Sequence, residues 1–224
     1  MIKLFNRDET NFEHNETILR NVISTSVEEE SNGLYELVLE HPRDEIGNQL
    51  TNGKIIKAPT PRGDQLFRIY KPIKNLKTYT IYARHIFYDL LNNFIESAKP
   101  TNADGNAAIQ RILDRLQFSQ RFIGSSDIAD YSEAYYVRMN PVQALIGADN
   151  SFINVWGGEL VRDNFTFRIN VRGGFDTGYE IRTGKNLTGV EIELDESGVY
   201  TRIYPSVVIE DNVVTTLPEE YIDS

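Results

Sequence analysis

The chain has no cysteine in its 224 residues, which excludes disulfides and thiolate chemistry. No segment approaches the roughly 20 consecutive apolar residues that cross a bilayer. The N-terminal stretch Met1-Ile2-Lys3-Leu4-Phe5-Asn6-Arg7-Asp8 is too short to serve as the apolar core of a signal peptide. A soluble product that is not exported by a secretion signal is therefore expected. Positive charge is also scarce: 23 Lys and Arg face 33 Asp and Glu, a formal net charge of −10. Such a surface repels phosphate backbones, so sequence-reading of nucleic acid is not expected. An acidic wall would suit a conduit that DNA passes without sticking. Neither G-x-G-x-x-G nor G-x-x-x-x-G-K-[ST] occurs, so nucleotide chemistry has no support. Internal repeats and low-complexity tracts are absent.

What is present reads as short strands with a few helices. In Leu34-Tyr35-Glu36-Leu37-Val38-Leu39-Glu40 the apolar Tyr35, Leu37 and Leu39 alternate with Glu36, Val38 and Glu40, and Pro42 then ends the strand. Gly53–Lys57 is a further strand, and Ala58–Asp64 reads as a turn-rich connection. Leu66–Tyr70 and Thr78–Ala83 are expected to pair antiparallel. The spacing of Ile86, Phe87, Leu90, Leu91, Phe94 and Ile95 predicts one helix face. A second helix carries Ile109, Ile112, Leu113 and Leu116. A third begins at Asn140-Pro141, a favoured cap followed by proline at the first helical position, and buries Val142, Leu145 and Ile146. In Asn164–Val171 the residues Phe165, Phe167, Ile169 and Val171 alternate toward a core. Leu187–Leu194 and Val199–Ile209 read as a further strand pair. The predicted class is α+β, mainly β, with barrel-like domains and one mixed domain. The boundaries are expected at residues 1–95 (β-rich), 96–184 (mixed α+β) and 185–224 (the start of a further β domain).

The chemistry-bearing residues are few. His14, His41 and His85 have no metal-ligand spacing, and H-E-x-x-H is absent. His85 is read as a packing or capping residue. Asp176-Thr177-Gly178 matches the aspartic-protease triplet, but its flanks lack the apolar strands that bracket that loop, so a turn is the better reading. Trp156, in Trp156-Gly157-Gly158-Glu159, is read as buried beside a Gly-Gly turn between strands, in preference to an exposed sugar-stacking platform. Glu159 and Asp163 are the nearest approach to a glycosidase pair. Arg62-Gly63-Asp64 spells an adhesion tripeptide in a Pro-flanked loop. Asn15, Asn164 and Asn186 start glycosylation sequons that have no use without export. No catalytic, cofactor-binding or metal-binding residue is assigned, and no cofactor is expected.

The order of several segments carries a resemblance. These are Gly33–Leu37 through His41-Pro42, Leu66–Tyr70, Tyr82–Leu90, Trp156–Leu160 with Arg162-Asp163-Asn164, Gly184–Leu187 and Thr201–Pro205. Together they resemble the N-terminal region of phage minor structural proteins, the prophage tail endopeptidase or tail-associated lysin family. The resemblance implies a baseplate hub at the tail tip: a homotrimeric ring below the tail tube, with two barrel domains per copy. Residues 1–95 would be its ring domain and 96–184 a domain decorating it. The implied partners are tail-tube and distal tail proteins, with phage DNA only in transit and no membrane. The implied location is the virion tail tip, after assembly in the bacterial cytoplasm. Lytic modules in this family follow the region matched here, so no enzymatic activity is expected of this chain. The alternatives are a tail-associated peptidase or peptidoglycan hydrolase, and a module that binds cell-wall carbohydrate.

Overall fold

The computed structural model describes residues 1–14, 16–174, 178–194, 201–209, 213–216, 218 and 221–223. The chain divides into two compact units, Met1–Phe175 and Asp176–Ser224.

The first unit opens with a seven-stranded antiparallel sheet. Its strands are β1 (Lys3–Phe5), β2 (Thr17–Ile18), β3 (Ser24–Glu29), β4 (Tyr35–Pro42), β5 (Ile55–Thr60), β6 (Gly63–Lys74) and β7 (Thr78–His85), in the order β2-β1-β5-β6-β7-β4-β3. The expected class, α+β and mainly β, holds. The sheet is open, however, not a closed barrel: β2 and β3 are its two free edges.

Side-chain alternation explains which parts of the sheet are covered. In β4 every second residue is buried, so Leu37 and Leu39 face a core while Glu36 and Glu40 point away. In β1, β5 and β6 consecutive residues are buried: Leu4 with Phe5, Ile55 with Ile56, Leu66 with Phe67. Burial of neighbours on opposite faces means that this half of the sheet is covered on both sides. One side is the main sheet core of Leu4, Leu37, Leu39, Ile56, Phe67, Ile69 and Ile81. The other is a small cluster of Phe5, Ile55, Leu66 and Ile86, closed by Phe12 and Phe165.

The turn-rich connection expected at Ala58–Asp64 is shorter than that. β5 runs to Thr60 and β6 restarts at Gly63, so Pro59 lies in the ladder opposite Asp64. Pro59 is tolerated because the pairing of β1 with β5 ends at Lys57, and no hydrogen bond is lost on that side. The pairing of β6 with β7 is as expected, with a bulge between Ile69 and Lys71.

The helix expected over Ile86–Ile95 is instead a 3-10 helix, Ile86–Asn92, followed by strand β8 (Ile95–Ala98). Asn93 ends it. Its side-chain oxygen accepts from the backbone N–H of Phe94 (2.8 Å) and Phe118 (3.1 Å), which draws the chain into extended form. Helix α1 (Gly105–Leu113) is capped by Asp104, whose Oδ1 accepts from Ala107 N–H at 2.7 Å. Leu116, expected on this helix, lies beyond its end and bridges to Ile95.

Strands β9 (Ile123–Ser126) and β10 (Tyr136–Met139) follow. The Asn140-Pro141 start is realised as a reciprocal cap. Asn140 Oδ1 accepts from Gln143 N–H at 2.9 Å while Gln143 Oε1 faces Asn140 N–H at 3.4 Å. The turn that follows, Gln143–Gly147, has π-type hydrogen bonding. Helix α2 (Phe152–Trp156), β11 (Glu159–Asp163) and β12 (Thr166–Asn170) complete the unit. β10 pairs with β8, and β12 lies between β11 and a parallel β9. The second core gathers Phe87, Ile109, Ile112, Tyr136, Leu145, Phe152, Phe167 and Ile169. Val171, expected to face it, is exposed because β12 ends at Asn170.

The second unit has two short antiparallel pairs: β13 (Arg202–Ile203) with β16 (Ile222–Asp223), and β14 (Ser206–Ile209) with β15 (Val213–Thr216). The strand expected at Leu187–Leu194 does not form. Its alternation is real, but no partner strand pairs with it among the described residues, and only Leu187 makes a bridge, to Thr183. Of the second expected strand, Val199 and Tyr200 lie outside the described residues, as does the connection Glu196-Ser197-Gly198.

Candidate functional site

The densest polar chemistry is a buried seam where β11 and β12 meet the first sheet. Arg162, central in β11, is fully buried. Its Nη1 donates to the Gly33 carbonyl (2.6 Å) and the Tyr88 hydroxyl (3.1 Å), and its Nη2 donates to the Glu30 carbonyl (3.1 Å). Glu29 Oε1 stands 3.7 Å away, and the Tyr35 ring lies under the guanidinium at 5.0 Å. The Tyr88 hydroxyl also donates to Gly33 O at 2.5 Å. The turn between β3 and β4 is thus clamped from two sides. Asn32, at φ 54° in that turn, completes the clamp: its amide donates to Gly158 O (3.0 Å) and its oxygen accepts from Leu160 N–H (2.7 Å). Burying a guanidinium is costly unless its donors are met; here both Nη atoms are bonded, while Nε is buried without a hydrogen-bond partner among the described residues.

Gln65 forms the other end of the seam. Its Oε1 accepts from Asn164 N–H (2.9 Å) and faces His85 Nε2 (3.0 Å), while its Nε2 donates to Asp163 Oδ1 (3.0 Å). Asn164, at φ 51°, occupies the tight turn between β11 and β12. Its side chain accepts from Leu66 N–H (2.9 Å) and donates to Asp64 O (3.1 Å), extending the ladder of β6.

His85 is locked into the same network. Nδ1 accepts from Phe87 N–H at 3.2 Å, so Nε2 carries the proton and donates to Gln65. The ring stacks on Tyr35 at 4.6 Å. Burial, with the Arg162 charge adding to it, holds His85 down to about 3, so the ring is neutral. The expected role as a packing and capping residue is what the geometry gives. His41 is also fully buried, with Nδ1 3.0 Å from Pro42 O and 3.6 Å from Asp44 Oδ1; its Nε2 has no partner. His14 lies on the surface.

The remaining candidates disperse. Glu159 and Asp163 sit at opposite ends of β11, their Cα atoms about 13 Å apart at a rise of roughly 3.3 Å per residue. Each carboxylate is also engaged by a different partner, so the two do not flank a shared cleft as a glycosidase pair does. Glu159 accepts from Gly173 N–H (2.7 Å), and Asp163 serves Gln65. Trp156 is buried as expected: it stacks on Phe152 at 5.0 Å and donates to Ala103 O at 2.9 Å. Its Gly-Gly turn joins α2 to β11, not two strands. Gly157 and Gly158 have φ 77° and 98° there, and a Cβ on Gly158 would meet Asn170 O at 2.8 Å. Arg62-Gly63-Asp64 does occupy an exposed hairpin tip, where Arg62 Nε lies 3.7 Å from Glu29 Oε2. Asn186 is taken up by contacts with Arg182 and Glu180. Asn15, Asp176 and Thr177 lie outside the described residues. Among the described residues no group of three His, Asp or Glu side chains is placed to hold a metal ion.

One open cleft of about 620 Å³ runs beside the N-terminal loop, lined in part by Arg7, Asp8, Arg68, Asp89, Arg121 and Phe165. Two of its charges are matched to each other. Arg68 makes a two-pronged pair with Asp89 (2.7 and 2.6 Å) and donates to Gly53 O (2.7 Å). Arg121 lies over the Phe165 ring at 3.7 Å. The cleft holds no nucleophile with an adjacent base. Sequence reading missed Arg162 and Gln65. The available signal for Arg162 was a charged residue directly after the apolar pair Leu160-Val161 in a short strand.

These elements define an α+β, mainly β fold built around an open antiparallel sheet. The fold is shared with a prophage tail protein, gp18 of Listeria monocytogenes EGD-e: TM-score 0.60 at 15% identity, covering 97% of this chain and 68% of that one. No protein-family model matches the sequence, and no curated protein does. No helix among the described residues is long and apolar enough to cross a membrane.

Proposed function

We propose that this chain is a structural subunit of a phage or prophage tail tip, three copies of which close a ring below the tail tube. The observation that carries the reading is the likeness of fold to a prophage tail protein across 97% of the chain. The order of sequence segments given above points the same way. In this reading the work is architectural: surfaces buried between copies and against tail-tube and distal tail proteins replace catalysis. A closed ring of three needs head-to-tail contacts, with two different faces of each copy meeting. The formal charge of −10 suits a wall past which phage DNA slides. The protein assembles in the bacterial cytoplasm and ends at the virion tail tip, without membrane or cofactor.

A wall-degrading or wall-binding role draws less support. Glu159 and Asp163 sit at opposite ends of their strand and are engaged by different partners, and Trp156 is buried. Gold-labelled antibody against the chain, applied to intact virions in the electron microscope, tests the location. Label at the distal end of the tail is expected. Label on heads, or on none of the particles, would overturn the reading. Clearing of a cell-wall gel by the purified chain would overturn its architectural part.

A further inference from the structure

We infer that a cationic cleft beside α1 seats the segment Val190–Leu194 of a second copy of this chain. The inference rests on the ring reading and supplies one of its head-to-tail contacts.

The cleft, of about 550 Å³, is lined by Ser97, Lys99, Arg111, Asp114 and Arg115. Three cations thus face one carboxylate, in a chain whose net charge is −10. Among the described residues none of the three makes an ion pair. Arg111 is fixed by one bond from Nη1 to Thr101 O (2.7 Å), which leaves its other donors for the cleft. The neighbouring wall is apolar and exposed. Lys99 Nζ stands 6.0 Å from the Tyr135 ring centre, and Val137 pairs with Ser97 across β8 and β10. Tyr135 is 53% exposed and Val137 39%.

The second unit carries the complement. Residues 176–224 hold eleven acidic and three basic side chains, against twenty-two and twenty in the rest of the chain. Within them Val190, Ile192 and Leu194 alternate with Glu191 and Glu193, and these three apolar residues are 74%, 85% and 81% exposed. An extended segment with this alternation shows carboxylates on one side and aliphatic groups on the other. Same-side residues recur every ~6.7 Å. Arg111 lies in the last turn of α1 and Arg115 two residues past its end, both exposed. Glu191 and Glu193 therefore match the two guanidinium groups in sign, while Ile192, on the other side of the segment, meets Val137 and Tyr135. Each copy offers one open cleft and one exposed segment. Two such different faces are what a head-to-tail ring requires.

The test uses the full chain and light-scattering mass over a range of concentrations. Arg111→Glu with Arg115→Glu, or Glu191→Lys with Glu193→Lys, should each move association to at least tenfold higher concentration. The chain carrying all four changes should recover it. All six residues used in the test lie on the surface, and circular dichroism checks that each variant keeps its fold. A second measurement uses the cysteine-free background: Ser97→Cys with Ile192→Cys should give disulfide-linked oligomers on oxidation. Intrachain disulfides alone would overturn the inference, because the segment would then seat in its own copy. Association of the wild type that no variant changes would overturn the inference and leave the ring reading standing. A wild type that stays monomeric would overturn both.

Discussion

Ile169 and Ile192 occupy alternating apolar–polar stretches of the same kind, yet Ile169 is fully buried and Ile192 is 85% exposed. The difference holds for the units around them. Every buried hydrophobic side chain among the described residues falls between Leu4 and Ile169. In the second unit Tyr179, Ile181, Val190, Ile192 and Leu194 all face outward. The first unit, of some 175 residues, is long enough to enclose cores of its own; the second is short and strongly acidic. Alternation thus specifies a strand only where something covers its apolar side. The Phe167/Ile169 side of β12 meets α1, while Val190–Leu194 finds no cover within its unit.

Changes to the two units should therefore have unequal costs. The largest is expected at Arg162. Arg162→Ala removes one donor each from the Gly33 and Glu30 carbonyls, leaving them to Tyr88 and the Gly33 N–H, and loosens the turn between β3 and β4; it should cost about 3–5 kcal/mol in urea unfolding. A loss below about 1 kcal/mol would show that the seam is dispensable.

Next is the isoleucine pair. Ile169→Ala should cost roughly 2–5 kcal/mol, and Ile192→Ala less than about 0.5 kcal/mol. Equal costs would mean that Ile192 is buried within the single copy.

Acid should act on the first unit through His85. Its folded value of about 3 lies below the ordinary 6.5, so the unfolded chain binds the proton more tightly. The stability it contributes is complete above pH 6.5 and is lost as pH falls toward 3, about 3 kcal/mol by pH 4. Urea midpoints at pH 7 and 4.5 should fall less in a His85→Gln variant than in the wild type. Parallel falls would remove His85 as the cause.

Among the buried positions the smallest effect is expected at Trp156. Trp156→Phe keeps the stack on Phe152 but loses the bond to the Ala103 carbonyl, and should cost about 1–2 kcal/mol. Because Trp156 is the only tryptophan, its fluorescence in the wild type should follow the first unit alone.

What was readable from sequence follows the same division. Tyr35, Leu37 and Leu39 announced their strand, and Asn140-Pro141 its helix start, because these signals are local and their cover lies in the same unit. The stretch Ile86–Ile95 misled because apolar spacing does not reveal that Asn93 takes two backbone N–H groups and turns the chain extended. Arg162 and Gln65 were missed because a charged or amide side chain reads as solvent-facing. Their partners, Gly33 and Asp163, lie about a hundred or more residues away. Leu187–Leu194 carried a strand pattern whose partner no local signal could supply.

The ring is tested most directly by the absolute mass of the wild-type chain, measured by sedimentation at rising concentration. A ring of three gives a species of three times the 25.6 kDa chain mass, with no stable dimer between. A chain that remains monomeric throughout, or stops at a tight dimer, would contradict it.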